Sequence, residues 1–71
     1  MNLLEVRTGT QYLIKSISTG DDELNAFLFT LGCYEGEPIK VISRRKSGLI
    51  ISLKGSRYSI DNALGAAISV E

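Results

Sequence analysis

The sequence of 71 residues contains no histidine and no tryptophan, and it has only one cysteine and one proline. Histidine is the usual general base and the usual partner of a catalytic nucleophile, so its absence argues against an enzyme. It also argues against a ferrous iron site, because such sites commonly combine carboxylates with imidazole ligands. A single cysteine closes no disulfide within the chain and forms no cysteine-based metal framework. We therefore expect neither catalysis nor a bound metal ion or cofactor.

Long apolar runs are also missing. The longest apolar stretches, residues 26–31 and 49–53, are interrupted by Thr30 and Ser52, whereas a bilayer-spanning helix needs about 20 apolar residues. The N-terminal residues lack a basic segment followed by an apolar stretch of signal-peptide length. With 44% hydrophobic residues, the composition is that of a packed globular domain. We expect one cytoplasmic domain over residues 1–71 that does not insert into a membrane.

Charge is balanced overall but separated along the chain. There are 8 basic and 8 acidic residues, with no base between residues 17 and 39 and no acid between residues 40 and 58. The simplest interpretation is that a helix and a sheet have differently charged solvent faces. The alternative is a charge dipole that orients a protein partner. Net neutrality argues against strong non-specific binding to nucleic acid or to anionic lipid.

One segment has the pattern of an amphipathic helix. Asp21 is a suitable N-cap residue, and Asp22 and Glu23 follow in the first turn, where acids interact favourably with the helix dipole. Gly32 stands where a left-handed residue would end the helix. We predict a helix over residues 21–31 whose apolar stripe follows the i, i+3, i+4, i+7 spacing and consists of Leu24, Phe27, Leu28 and Leu31.

Alternating and β-branched segments predict five short strands after a lead-in at residues 1–9. Two of the strands flank Lys46, Ser47 and Gly48, a pattern that predicts a hairpin with a three-residue loop and a positive φ at Gly48. Asp61 and Gly65 bound a single predicted helical turn before the last strand. The predicted strands cover residues 11–18, 39–45, 49–54, 57–60 and 68–71.

These elements together predict a mainly β fold. Most neighbouring strands are joined by tight turns, so we expect a small, strongly bent antiparallel barrel with one amphipathic helix over an opening. Alternation places Leu49, Ile51 and Leu53 on the inner face of the sheet. It leaves Ile42 and Ile50 on the outer face, where a bulge, another segment or a partner would have to cover them.

The joint spacing of glycines and aliphatic residues resembles the FeoA domain family. The resemblance covers nearly the whole chain, roughly from Gly9 to Val70. It is carried by Leu31-Gly32-Cys33, Gly36, Ile39-Lys40-Val41, the hairpin that follows, Leu53-Lys54-Gly55, Ile60, Ile68 and Val70.

The resemblance implies an SH3-like barrel that acts by protein–protein docking. Family members resemble accessory or regulatory proteins of the FeoB-type ferrous iron transporter of bacterial membranes, which would be the partner through its cytosolic GTPase domain. The same domain type ends the DtxR-type iron-dependent repressors, so a stand-alone interaction module is the alternative. A small nucleic-acid-binding barrel is a third hypothesis, although we expect no nucleic-acid partner. Whether the chain also self-associates is an alternative that the sequence leaves open.

The candidate site is a contact surface for a protein partner. Phe29, which lies off the apolar stripe, is either a second core contact or an exposed aromatic. The basic run at the hairpin tip, Arg44, Arg45 and Lys46, has three interpretations. It is a charged edge that blocks aggregation, a docking loop for a partner, or a nucleic-acid contact. Cys33 is expected to be a small buried hydrophobe and not a ligand or redox thiol. The predicted partner-binding residues are Phe29, Tyr34, Ile42, Arg44, Arg45 and Lys46, and the predicted turn glycines are Gly32, Gly36 and Gly48.

Overall fold

The structure, a computed structural model that describes residues 1–71, contains five strands and two helices. The five predicted strands and the main helix are confirmed with small changes of bounds. No helix has both the length and the apolar character needed to cross a membrane. In chain order the elements are β1 (Gln11–Ile17), α1 (Asp22–Thr30), β2 (Pro38–Arg45), β3 (Gly48–Leu53), β4 (Ser56–Asp61), α2 (Asn62–Ala67) and β5 (Ile68–Val70).

All five strands belong to one antiparallel sheet with the order β4-β3-β2-β1-β5. Strands β2, β3 and β4 follow one another through tight turns, whereas β5 returns across the molecule to pair with β1. Register shifts between β1 and β5 and between β2 and β3 mark bulges. Bulges of this kind increase the local twist of a sheet. The predicted mainly β architecture is therefore confirmed.

The inner face of the sheet carries the hydrophobic core. Thirteen hydrophobic residues are buried in one cluster, and no polar or charged side chain is buried with them. Leu49, Ile51 and Leu53 are all buried, as alternation predicted. The core therefore consists of hydrophobic side chains, with the Cys33 thiol among them.

Ile42 and Ile50, predicted to lie on the outer face, are both half-buried. Ile42 is the extra residue at the register shift between Val41 and Ser43 in β2. A bulged residue has no direct partner on the neighbouring strand, so the alternation of burial along β2 holds through Ile42 and breaks at Ser43.

Helix α1 has the predicted caps, but the prediction of its apolar stripe is wrong at one position. The carboxylate of Asp21 accepts two backbone N–H groups of the first turn. Leu28 is the only buried residue of the helix, and Leu24 and Leu31 are half-buried. Phe27, predicted to lie in the stripe, is 55% exposed. The short helix touches the barrel along a narrow line through Leu28, and Phe27 lies about 100° around the helix from it.

The first nine residues, expected to be a lead-in, belong to the core and to the edge of the sheet. Leu3 and Val6 are buried. The Leu3 N–H donates to the Gly65 carbonyl at 3.2 Å, and the Val70 N–H donates to the Met1 carbonyl at 2.7 Å. The segment therefore covers the free side of β5, the edge strand next to β1.

Two glycines have roles that differ from the predicted ones. Gly48 lacks a positive φ and is the first residue of β3, so the hairpin loop has two residues, Lys46 and Ser47. Gly48 must be small for another reason, since an added Cβ would lie 2.2 Å from the backbone oxygen of Ile60. Gly65 does not end α2, which continues beyond it to Ala67.

Candidate docking surface

The turn that ends α1 is a Schellman motif centred on Gly32. The Gly32 N–H donates to the Phe29 carbonyl at 3.0 Å, and the Cys33 N–H donates to the Leu28 carbonyl at 3.0 Å. Gly32 has a φ of 93°, a conformation that side-chain-bearing residues rarely adopt. The motif fixes the direction in which the chain leaves the helix.

A second turn follows at once and ties the loop to β1. The Glu37 N–H donates to the Tyr34 carbonyl at 3.2 Å, and Gly36 has the positive φ, 88°, that the third residue of a type II turn requires. The Gly36 N–H donates to the Ile14 carbonyl at 2.8 Å, and the Ile14 N–H donates to the Glu37 carbonyl at 2.9 Å. The side chains of this loop therefore stand on a fixed backbone.

Phe29 and Tyr34, predicted from the sequence to belong to one contact surface, form an aromatic pair. Their ring centroids lie 5.0 Å apart with an interplanar angle of 39°. Tilted pairs at such distances contribute about 0.5–1.5 kcal/mol beyond their buried area. Phe29 is nevertheless 62% exposed, so the alternative of a second core contact is excluded. The pair presents a preorganised apolar surface to solvent.

Lys54, at the end of β3, completes this surface. Its Nζ lies 5.1 Å from the centroid of the Tyr34 ring and 3.0 Å from Glu37 Oε1, the first within the range of a cation–π contact. The Tyr34 hydroxyl, and after it the Glu37 carboxylate, raise the pKa of the Lys54 ammonium group. Its stem also crosses Gly32, where an added Cβ would lie 2.5 Å from Lys54 Cγ. Sequence reasoning missed Lys54 and Glu37.

A shallow cleft of about 310 Å³ opens beside the aromatic pair, between β1 and α1. Its lining is part apolar and part polar. Such a cleft can bury one apolar side chain of a partner while its rim provides hydrogen bonds. The lining residues are Ser16, Ile17, Asn25, Phe29, Cys33, Tyr34 and Glu35.

Cys33 is only 1% exposed, and the prediction that it is a small buried hydrophobe is confirmed. Burial raises the pKa of its thiol from 9.0 to about 11. Because the folded-state pKa lies above the ordinary value, the native state loses stability relative to the unfolded state as pH rises from 9.0 towards about 11. Near neutral pH the thiol stays protonated and is a poor nucleophile.

We expect Cys33 to react with iodoacetamide at pH 8 at least about 100-fold more slowly in the native protein than in denaturant, because burial both lowers the thiolate fraction and shields the sulfur from the reagent. Mass spectrometry of timed samples measures both rates. Equal rates in the two states would contradict the burial of this thiol.

The other predicted contact residues lie away from the aromatic pair. Arg44, Arg45 and Lys46 are exposed at the turn between β2 and β3, whereas the pair lies beside the opposite end of this hairpin, about 20 Å away along strands of this length. The Arg44 guanidinium donates to the Val6 carbonyl. Ile42 is half-buried between the two ends. The structure thus separates the predicted residues into two regions.

Two of the acidic residues make defined contacts within the fold. Asp21 caps α1, and Glu37 pairs with Lys54. No three carboxylate or thiol side chains gather where they could hold a metal ion.

Comparison with known proteins identifies the family. The FeoA domain model matches residues 1–71, which is the whole chain. The chain belongs to the FeoA domain family. No curated protein sequence matches it.

Solved FeoA structures have the same fold. The crystal structure of an iron uptake regulatory protein, FeoA, is 27% identical with a TM-score of 0.86, over 99% of this chain and 93% of that one. FeoA from Stenotrophomonas maltophilia complexed with zinc, described as a prokaryotic SH3 domain protein, is 18% identical with a TM-score of 0.87, over 100% of this chain and 89% of that one. The SH3-like fold expected from the family resemblance is therefore confirmed.

The FeoA fold also occurs within larger regulators. IdeR from T. acidophilum is 23% identical with a TM-score of 0.84, over 99% of this chain but only 32% of that one. This FeoA-family chain thus corresponds in fold to about a third of that protein.

Proposed function

We propose that this FeoA-family protein is a cytoplasmic accessory protein of ferrous iron uptake. It binds the cytosolic part of a FeoB-type transporter, including its GTPase domain, and regulates the transporter by docking and not by catalysis. The match to the FeoA domain over the whole chain supports the assignment to iron uptake, as does the description of a 27% identical FeoA as an iron uptake regulatory protein.

The observation that carries docking is the exposed aromatic pair. A 62% exposed Phe29 packs against Tyr34 on a loop whose backbone is fixed by hydrogen bonds to β1. Rigid aromatic side chains lose little entropy on binding and dominate many interface hot spots. The adjoining cleft gives a partner side chain a place to enter. Together they form a surface suited to one protein partner.

A second function is favoured by the likeness to IdeR, of which this fold forms about a third. In that alternative the chain is a stand-alone interaction module that binds a soluble transcription regulator. The docking surface would be the same, but the partner would differ.

Affinity capture by the full chain separates these functions. The proposal predicts saturable binding of a FeoB-type transporter held in nanodiscs, measured by biolayer interferometry in the presence of GDP and of a GTP analogue. Recovery of a soluble regulator, with no transporter binding in either nucleotide state, would contradict it and favour the second function. Retention of a labelled oligonucleotide at moderate salt would favour a nucleic-acid-binding barrel, since specific retention persists where non-specific binding falls.

A further inference from the structure

The two edges of the sheet differ in whether another segment of the chain covers them. The free side of β5 is covered by the N-terminal segment through the Met1–Val70 hydrogen bond and the bridge between Asn2 and Ser69. Strand β4 has no such cover, since no backbone hydrogen bond outside the regular elements involves any residue from Ser56 to Asp61. β4 is six residues long and pairs with β3 without a register shift. It lacks the proline or bulge that commonly protects an edge strand.

The pairing of β3 with β4 shows which backbone groups are free. Opposite residues in an antiparallel pair alternate between exchanging both backbone hydrogen bonds and exchanging none. Leu53 and Ser56 are opposite one another and close a two-residue turn, so they are a hydrogen-bonded pair. By alternation, the backbone N–H and C=O groups of Tyr58 and Ile60 also form hydrogen bonds with β3. Arg57 and Ser59 then direct their N–H and C=O groups away from the sheet.

The sequence of β4 is self-complementary about Ser59. If a second copy of β4 runs antiparallel with the two Ser59 residues opposite each other, Arg57 lies opposite the partner's Asp61. Tyr58 then lies opposite the partner's Ile60. Opposite charges and aromatic–aliphatic pairs are both favourable across strands. Each favourable pair occurs twice because of the two-fold symmetry.

The neighbouring registers lack this complementarity. Centring the pairing on Arg57 places two guanidinium groups opposite each other, which is unfavourable. Centring it on Tyr58 places Arg57 opposite Ser59, and centring it on Ile60 places Asp61 opposite Ser59, so neither register forms an ion pair. Charge therefore selects the register centred on Ser59.

We propose that two copies of this chain associate through antiparallel pairing of β4 with β4, centred on Ser59. The association continues the sheet from one molecule into the next and closes on itself, because the contact uses the same strand of both copies. It is independent of transporter docking, since two strands, β3 and β2, separate β4 from β1 in the sheet and β4 contributes nothing to the cleft beside the aromatic pair.

Disulfide trapping tests the register. Opposite hydrogen-bonded residues have Cα atoms about 5.5 Å apart, which suits a disulfide. Ser59→Cys should therefore form an interchain disulfide with oxidised glutathione, seen as a dimer on non-reducing gels. Ser56→Cys is the matched control, because in this register the two Ser56 positions lie about 20 Å apart along the strands. Cross-linking of neither variant, or equal cross-linking of both, would overturn the proposal.

The association is also measurable without a new cysteine. Sedimentation velocity of the unmodified chain should show a mass that rises from 7.7 kDa towards twice this value as concentration increases. Arg57→Glu, which places two acids opposite each other, should raise the dimer dissociation constant about tenfold, while Arg7→Glu, an equal charge change at an exposed position, should leave it unchanged. A mass that stays at the monomer value up to about 1 mM, or equal effects of the two variants, would overturn the proposal.

Discussion

Replacement of Leu28 by alanine is expected to lower the free energy of unfolding by about 2–5 kcal/mol, the usual cost of such a cavity. Leu28 is 1% exposed and is the only buried residue of α1, so the helix depends on it for its contact with the barrel. Domains usually have only about 5–15 kcal/mol of stability in total. The expected result is a large fall in the urea concentration at the unfolding midpoint, measured by circular dichroism.

The neighbouring residue supplies the control. Phe27 belongs to the same apolar stripe by sequence but is 55% exposed, so Phe27→Ala should change stability by less than about 0.5 kcal/mol. An equal loss of stability in the two variants would mean that α1 packs through a broader face than the structure shows.

Replacement of Phe29 by alanine is expected to weaken binding to a FeoB-type transporter by at least about thirtyfold, the factor that corresponds to a hot-spot loss of about 2 kcal/mol. Phe29 offers its exposed ring to a partner while Tyr34 holds that ring in place. Because Phe29 is largely exposed, the fold should survive the change. Biolayer interferometry against the transporter in nanodiscs measures the effect.

Phe27→Ala is again the matched control, now for binding. Both residues are exposed phenylalanines on α1, at 55% and 62%, but they lie about 200° apart around the helix. Phe27→Ala should bind the transporter like the parent protein. Equal losses in the two variants would show that general apolar exposure, and not the pairing with Tyr34, drives the association.

Local signals predicted most of the fold. The cap at Asp21, the glycine that ends α1 and the alternation in β3 each depend on residues close together in sequence, and the structure agrees with them. The position of Phe27 depends on how the helix is set against the barrel. The helical spacing of apolar residues alone cannot predict this exposure, since a nine-residue helix that packs through Leu28 can leave a neighbouring stripe residue in solvent.

Contacts between distant segments could not be predicted. The burial of Leu3 and Val6 requires β5 to return beside the N-terminal segment. Gly48 has the pattern of a turn glycine, but it is small because the carbonyl of Ile60 in the next strand approaches it closely. Neither fact has a local signature in the sequence.

The candidate site was predictable in part for the same reason. Phe29 and Tyr34 were proposed from their positions around the predicted turn, and the Schellman motif brings them together. Lys54 reaches Tyr34 only because the end of β3 lies next to this loop. The basic run at Arg44–Lys46 looked like part of the same surface because the sequence does not show that the hairpin separates it from the aromatic pair.

Hydrogen–deuterium exchange of the full chain, with and without a FeoB-type transporter in nanodiscs, tests the proposed docking surface most directly. We expect the transporter to slow exchange in the last turn of α1 and in the loop at residues 31–37, and to leave the hairpin tip at residues 44–47 unchanged. Slowed exchange confined to the hairpin tip, or no change at any position under saturating transporter, would contradict it.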